Sequence, residues 1–410
     1  MFSRFFKKKS PPPAAPAQPA PPPEQVDAGI APQAEVAVLV SFGGTAVLMV
    51  QAGHAAGLDA ARIGSWIGSL SLVLGLGGAA YSLRTGLPIV MAWSTPGAAL
   101  LVTALAGVPF PEAIGAFVLA AALTLACGLF GWIDPILRRI PGEVAAAMLA
   151  GVLLNFGMGI FTNVGKQPAL VLAMCAAYLV CRRWAPRYAV LMVMAVAVAM
   201  AAGLGLMRVD QLDWHLTEFV WTTPAFSMQA AVSLGVPLFV VAMASQNLPG
   251  LAILQAAGYR PPASRLVAAT GFLGLLAAPF GAHSVTLGAI SAAICTGPEA
   301  HAEPSKRYIA AATYGISYFA LSIVAGAVAV FFQALPAALL AALAGLALLG
   351  TIMGGMAAAM ANPQRREAAL ITLLATASGF SFWGIGSAFW GLVAGLLAHT
   401  VFEFRRKPAA

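Results

Sequence analysis

The chain has 410 residues, 60% of them hydrophobic, with 22 Lys+Arg and 14 Asp+Glu. A soluble domain carries charge on about a quarter of its residues against 9% here, so a water-soluble globular protein is excluded. The net charge of +8 would suit nucleic acid only if it were gathered into a binding surface, and its distribution along the chain speaks against that.

Residues 1–34 carry Lys7, Lys8 and Lys9 and continue as PPPAAPAQPAPPP, in which eight of thirteen residues are proline. Such a segment has too little apolar surface to offset its ordering entropy, and it reads as a disordered basic tail. The prolines that separate the lysines from the first apolar run argue against a cleaved signal peptide. From Glu35 onward, apolar stretches bounded by Pro, Gly and charge predict spans of roughly 20 residues each. They cover 35–54, 62–83, 88–107, 111–131, 143–163, 168–184, 187–207, 228–250, 262–279, 283–298, 306–333, 336–360, 366–382 and 384–404. The expected fold is an all-α polytopic membrane protein with about fourteen spans. Twelve is the alternative count, because several segments are short or Gly-rich.

With fourteen spans, nineteen of the 22 basic residues fall on the side of the two termini, and only Arg62, Lys166 and Arg208 on the other. Basic loops mark the cytoplasmic side, so both termini are expected there, with 405–410 as a second basic tail. The positive charge is a topology signal, and no nucleic-acid partner is expected. Residues 208–227 hold Asp210, Asp213, Trp214, His215, Glu218 and Trp221 and read as an amphipathic outer loop. This loop separates spans 1–7 (35–207) from spans 8–14 (228–404). Seven spans begun inside are followed by seven begun outside, the arrangement of an inverted repeat.

Two corresponding segments are interrupted. In LPIVMAWSTPGAALL, Thr95-Pro96-Gly97 has the form of a helix start with Thr95 as cap. In APFGAHSVTLGAISAAICTGPEAH, Pro279 and Gly281 break the chain and a helix is expected to start only near Ser284 to Thr286. Two half-helix N-termini at the midplane favour an anion, which makes Ser94, Thr95, Gly97, Ser284 and Thr286 candidate contacts. Close helix packing is the competing explanation for the Pro and Gly residues. The eighth span holds Ser245, Gln246 and Asn247, followed by Pro249, which has no N–H to give the Ser245 carbonyl. Gln246 and Asn247 are candidate ligands, with interhelical bonding as the alternative. All fourteen acidic residues map to tails, loops or span ends, which leaves His283 as the candidate proton carrier, or else a neutral hydrogen-bond donor. The Gly-rich stretches SFGGTA and LGLGGAA fit either close packing or a sliding surface. The four cysteines lack metal spacing and the five histidines are scattered, so no metal, no cofactor and no enzymatic centre is expected.

The strings SWIGSLSL (65–72), AWSTPGAALL (92–101), ASQNLPGLA (244–252) and AAICTGPEAH (292–301) closely resemble the BenE family of benzoate:proton symporters, from about residue 35 to the C terminus. More distantly, the arrangement resembles uracil, ascorbate and inorganic-anion carriers. The resemblance implies an inner-membrane symporter for a small aromatic carboxylate and a proton, with spans 1–4 and 8–11 as a core domain and spans 5–7 and 12–14 as a gate domain. It also implies a homodimer, and a substrate-contacting polar residue at Gln246. An apolar ring wall would then come from Phe42 or Trp93. The alternative is the same scaffold with a nucleobase or inorganic anion as substrate.

Overall fold

The protein is described by a computed structural model covering residues 30–131, 141–208, 215–383 and 385–404. The expectations for both basic tails, and for Asp134, Arg138, Arg139, Asp210, Asp213 and Trp214, lie outside the described residues. The chain is mostly helical. In order it forms α1 (Ile30–Ala55), α2 (Ala60–Thr85), β1 (Met91–Trp93), α3 (Thr95–Ala104), α4 (Phe110–Phe130), α5 (Gly142–Val164), α6 (Pro168–Trp184) and α7 (Ala189–Gly203). The second half forms α8 (Met228–Ala256), α9 (Ala263–Ala277), β2 (Val285–Leu287), α10 (Ile290–Thr296), α11 (Tyr308–Gln333) and α12 (Ala337–Ala359). It ends with α13 (Arg366–Ala377), a short hairpin of β3 (Ser381–Phe382) and β4 (Ile385–Gly386), and α14 (Ser387–Phe404).

Each predicted segment coincides with one helix or one strand–helix pair. Among the described residues, seven helical stretches are long and apolar enough to cross a membrane, those of α2, α4, α5, α8, α9, α11 and α12. One boundary moves. The predicted tail ends at residue 34, yet α1 begins at Ile30, since Pro32 falls in the first helical turn, where its missing N–H has no intrahelical partner to lose.

The densest packing joins α2 to α11, α4 to α9, and α5 to α12. Further contacts join α13 to α14 and α5, α6 to α7, and α1 to α3, α10 and α11. Two groups result: α1–α4 with α8–α11, and α5–α7 with α12–α14. Small residues allow the closest approach. A Cβ on Gly75 would lie 2.6 Å from the Gly315 carbonyl oxygen, and one on Gly315 would lie 2.7 Å from the Gly75 oxygen. LGLGGAA is therefore a packing stretch. SFGGTA instead faces the other group, with Gly43 near Leu191 of α7 and Gly44 near Ala347 of α12.

The two interrupted segments meet as an antiparallel pair, β1 on β2, in the register Met91↔Leu287, Ala92↔Thr286, Trp93↔Val285. Non-helical backbone inside an apolar protein needs partners for its N–H and C=O groups, and each strand supplies them to the other. Gly288 N–H extends the ladder to the Val90 carbonyl at 2.9 Å. Ser82 Oγ holds the other edge through the Ile89 N–H and carbonyl.

Within α8 the chain widens into π-turns at Ala231–Gly235 and Met243–Asn247. Each lies just before a proline, Pro237 or Pro249, whose ring would clash with the carbonyl four residues back in a regular helix. The segment 215–227 carries no helix. It runs extended across the first group, with Thr217 N–H bonded to Ile323, Val220 N–H to Ser65 Oγ, Thr222 N–H to Pro279 and Ala225 N–H to Pro111.

Candidate functional site

A cavity of about 570 Å³ lies between the two helix groups, within the ~300–1,000 Å³ range of small-molecule sites. On one side stand Ser41, Gly44 and Thr45 of α1, Trp93, Thr95, Ser245 and Gln246 of α8, and Ile290 and Ser291 at the start of α10. On the other stand Gly142 and Leu149 of α5, Val190 of α7, and Leu348, Thr351 and Gly354 of α12. Among the described residues, no Asp, Glu, His, Lys, Arg, Cys or Tyr lines it. Its chemistry is apolar surface with a few amide, hydroxyl and backbone groups.

Gln246 reaches the cavity because the π-turn carries its side chain there. Its Oε1 accepts from the Ala289 N–H at 3.4 Å, which leaves Nε2 as the donor for a bound molecule. Ala289 caps α10, whose first internal bond runs from Ala293 N–H to the Ala289 carbonyl at 3.1 Å. The N–H groups of Ile290 and Ser291 precede that bond and are free of the helix ladder. At α3 the expected cap shifts by one residue. Ser94, not Thr95, is the N-cap, its Oγ accepting from Gly97 N–H at 3.0 Å. Pro96 has no N–H, so little of this helix start is left for a ligand. Thr95 is freed to pair its hydroxyl with Thr45 Oγ1 at 2.6 Å, and both hydroxyls edge the cavity.

Of the candidate contacts, Trp93, Thr95 and Gln246 line the cavity. Trp93 is anchored by Nε1 donating to the Ser41 carbonyl at 3.4 Å. Phe42 stands behind it, with ring centroids 5.5 Å apart. The others play supporting roles. Ser94 and Gly97 form the cap just described. Asn247 is fully buried, its Oδ1 accepting from Leu287 N–H at 2.9 Å and its Nδ2 donating to Met243 Sδ at 3.4 Å. It ties α8 to β2.

Ser284 and Thr286 do not start a helix. The chain pairs as β2 first and turns helical only at Ile290, because the strand must complete β1. Thr286 Oγ1 donates to the Ala92 carbonyl at 2.8 Å. Ser284 Oγ is buried away from the cavity.

His283 also lies outside the cavity, 1% exposed. Trp66 Nε1–H donates to its Nδ1 at 3.0 Å, so the ring hydrogen sits on Nε2 and is given to the Ser94 carbonyl at 3.1 Å. Both nitrogens are engaged in a neutral ring, with His283 acting as a hydrogen-bond donor to the Ser94 carbonyl. Gly281, at φ 104, makes the approach possible, since a Cβ there would meet the Trp66 Cβ at 2.9 Å. Ser41, Thr45 and Thr351 were missed as lining residues. The only signal for the first two was their place in SFGGTA, small and polar groups within an apolar span.

Comparison with known proteins agrees with this architecture. Residues 22–401 match the family model BenE, described as benzoate membrane transport protein. Inner membrane protein YdcO of Escherichia coli (strain K12) is 42% identical over 368 residues, covering 90% of this chain and 94% of that protein. The benzoate membrane transport protein of Acinetobacter baylyi is 39% identical over 366 residues, covering 89% and 93%. Among solved structures, SLC26A9 aligns with TM-score 0.62 at 12% identity, covering 93% of this chain and 66% of that one. The transmembrane domain of the cyanobacterial bicarbonate transporter BicA aligns with TM-score 0.56 at 12% identity, covering 92% and 97%; these two likenesses concern the fold alone. The chain is a multi-pass membrane protein and belongs to the BenE family of benzoate membrane transport proteins.

Proposed function

We propose that this protein imports benzoate, or a closely related aromatic carboxylate, together with a proton across the inner membrane. The observation that carries this reading is the cavity between the two helix groups, apolar over most of its wall and polar where Gln246 and the start of α10 converge. The substrate carboxyl takes hydrogen bonds from Gln246 Nε2 and from the Ile290 and Ser291 N–H groups, and the aromatic ring lies against Trp93, Phe239 and Leu348. An amide at position 246 donates to such a group, where a carboxylate would repel its anion.

The transport scaffold is read as fourteen spans in two inverted repeats of seven, with both termini cytoplasmic. The packing supports it. Advancing each helix by seven turns the α2–α11 contact into α9–α4 and the α6–α7 contact into α13–α14, and returns α5–α12 to itself. The strand pair lies on the same pseudo-symmetry. In this reading α1–α4 and α8–α11 form the core that holds the substrate, α5–α7 and α12–α14 form the gate, and relative movement of the two exposes the cavity to alternate sides. The name of the Acinetobacter relative points to the same substrate.

Uptake of labelled benzoate into proteoliposomes, with and without an inward proton gradient, tests the proposal. Gradient-driven accumulation is expected. Absence of benzoate uptake alongside robust uptake of uracil or sulfate would replace the substrate and keep the scaffold.

A further inference from the structure

We propose that the co-transported proton rides on the substrate's own carboxyl, so that the species enclosed in the cavity is the neutral aromatic acid and no protein side chain stores the proton. This rests on the functional reading above. On the acidic side, one proton from water bonds to a carboxylate oxygen; on the cytoplasmic side the same O–H bond breaks and the proton returns to water. One proton and one carboxylate move per cycle, with no net charge carried.

The cavity wall is the first reason. Its described lining holds no ionisable side chain of either sign. A carboxylate enclosed there would have no cationic partner among the described lining residues, and an unpaired buried charge shifts its own protonation instead. The helices around it extend the point: α3, α7, α8 and α12 contain no acidic, basic or histidine residue anywhere along their lengths.

Several ionisable groups on neighbouring elements are committed to other partners or distant. Glu35, at the exposed start of α1, accepts from Ser317 Oγ at 2.7 Å, and His54 is exposed at the opposite end of the same helix. Glu143, one residue from the cavity-lining Gly142, is paired with Arg365 at 3.3 Å. Cys295 is buried in the last turn of α10, away from the cavity. His283 has both ring nitrogens engaged by Trp66 and Ser94. Tyr314 and Tyr318 of α11 lie fully buried behind Ser41, and Tyr314 donates to Ser41 Oγ at 3.3 Å.

The polar groups that reach the cavity, the Ile290 and Ser291 N–H donors among them, also supply what an acid needs. A protonated carboxyl needs one acceptor for its O–H and donors for its carbonyl. Gln246 Nε2 donates, while the Thr45–Thr95 hydroxyl pair supplies acceptor oxygens. A carboxyl with the ordinary pKa of ~4 is neutral in about one molecule per thousand at pH 7, and that fraction rises tenfold for each unit of acidification. Proton coupling then follows from binding alone.

The test uses the full chain in proteoliposomes, after subtraction of uptake into protein-free vesicles, with benzoate and ring-substituted benzoates of stepped acidity. The apparent KM for total substrate is expected to rise about tenfold per pH unit above each substrate's own pKa. Expressed as neutral acid, KM should be constant with pH for each compound. Benzamide, a neutral isostere, should compete with benzoate at every pH, and benzenesulfonate, which stays anionic, should not. E143Q should leave these profiles unmoved. A pH midpoint shared by all substrates, or competition by benzenesulfonate without competition by benzamide, would assign the proton to a protein group and overturn this inference alone. No carrier-dependent benzoate uptake at any pH would overturn the functional reading, and this inference with it.

Discussion

Replacement of Gln246 by alanine tests both the location of the site and the charge of what binds there. The side chain lines the cavity from the π-turn of α8, with Oε1 on the Ala289 N–H at 3.4 Å and Nε2 left for the substrate. Truncation removes one donor to the substrate and uncovers one backbone N–H. That bond is long and the N–H borders a cavity water can enter, so its loss costs little. The donor dominates the effect. A hydrogen bond to a neutral group contributes about 0.5–1.5 kcal/mol and one to a charged group about 1.5–3 kcal/mol. These translate to roughly 2- to 13-fold and 13- to 150-fold in affinity. The neutral acid proposed above places Q246A in the lower range. Equilibrium binding of labelled benzoate to purified protein at fixed pH measures it, with a melting curve to show that the fold is intact. Unchanged affinity would refute the contact and return Gln246 to helix bonding. A loss above about 30-fold would show that the site binds the anion.

Three further substitutions separate site from scaffold. H283Q should leave the pH profile of uptake unchanged, while H283A should destabilise the protein by about 1–3 kcal/mol for each buried group left unpaired, Trp66 N–H and the Ser94 carbonyl; a shifted profile in H283Q would make this histidine the proton carrier. A Cβ on Gly354 of α12 meets nothing within 4 Å and the residue lines the cavity, so G354L should fold normally and abolish benzoate binding, and unimpaired uptake would place the substrate elsewhere. Arg307, 9% exposed, donates to the carbonyls of His301 and Thr296 at 2.8 Å, the latter closing the C-terminal end of α10. R307Q should lower stability by about 3 kcal/mol, read as a drop in Tm, with R307K recovering part of it; an unchanged Tm would mean that α10 is held without this clamp.

Membrane residence and the positions of the helical segments were decided by the amino-acid sequence alone, because the expense of placing charge in hydrocarbon is local and shows in composition. The same holds for the breaks at Pro96, Pro279 and Gly281, since Pro and Gly restrict or free the backbone wherever they stand. What fills a break is not local. Val285–Leu287 reads as the start of a helix until Met91–Trp93, some 190 residues earlier in the chain, is brought alongside to share its hydrogen bonds. Tertiary structure alone engaged both nitrogens of His283, turned Asn247 inward to β2, and left Gln246 facing the cavity although the two are adjacent in sequence. The far side of the cavity wall comes from α5, α7 and α12, whose lining residues are Gly, Ala, Val, Leu and one Thr. Such side chains look alike whether they face lipid, a neighbouring helix or a ligand, and only the packing of distant segments distinguishes the three.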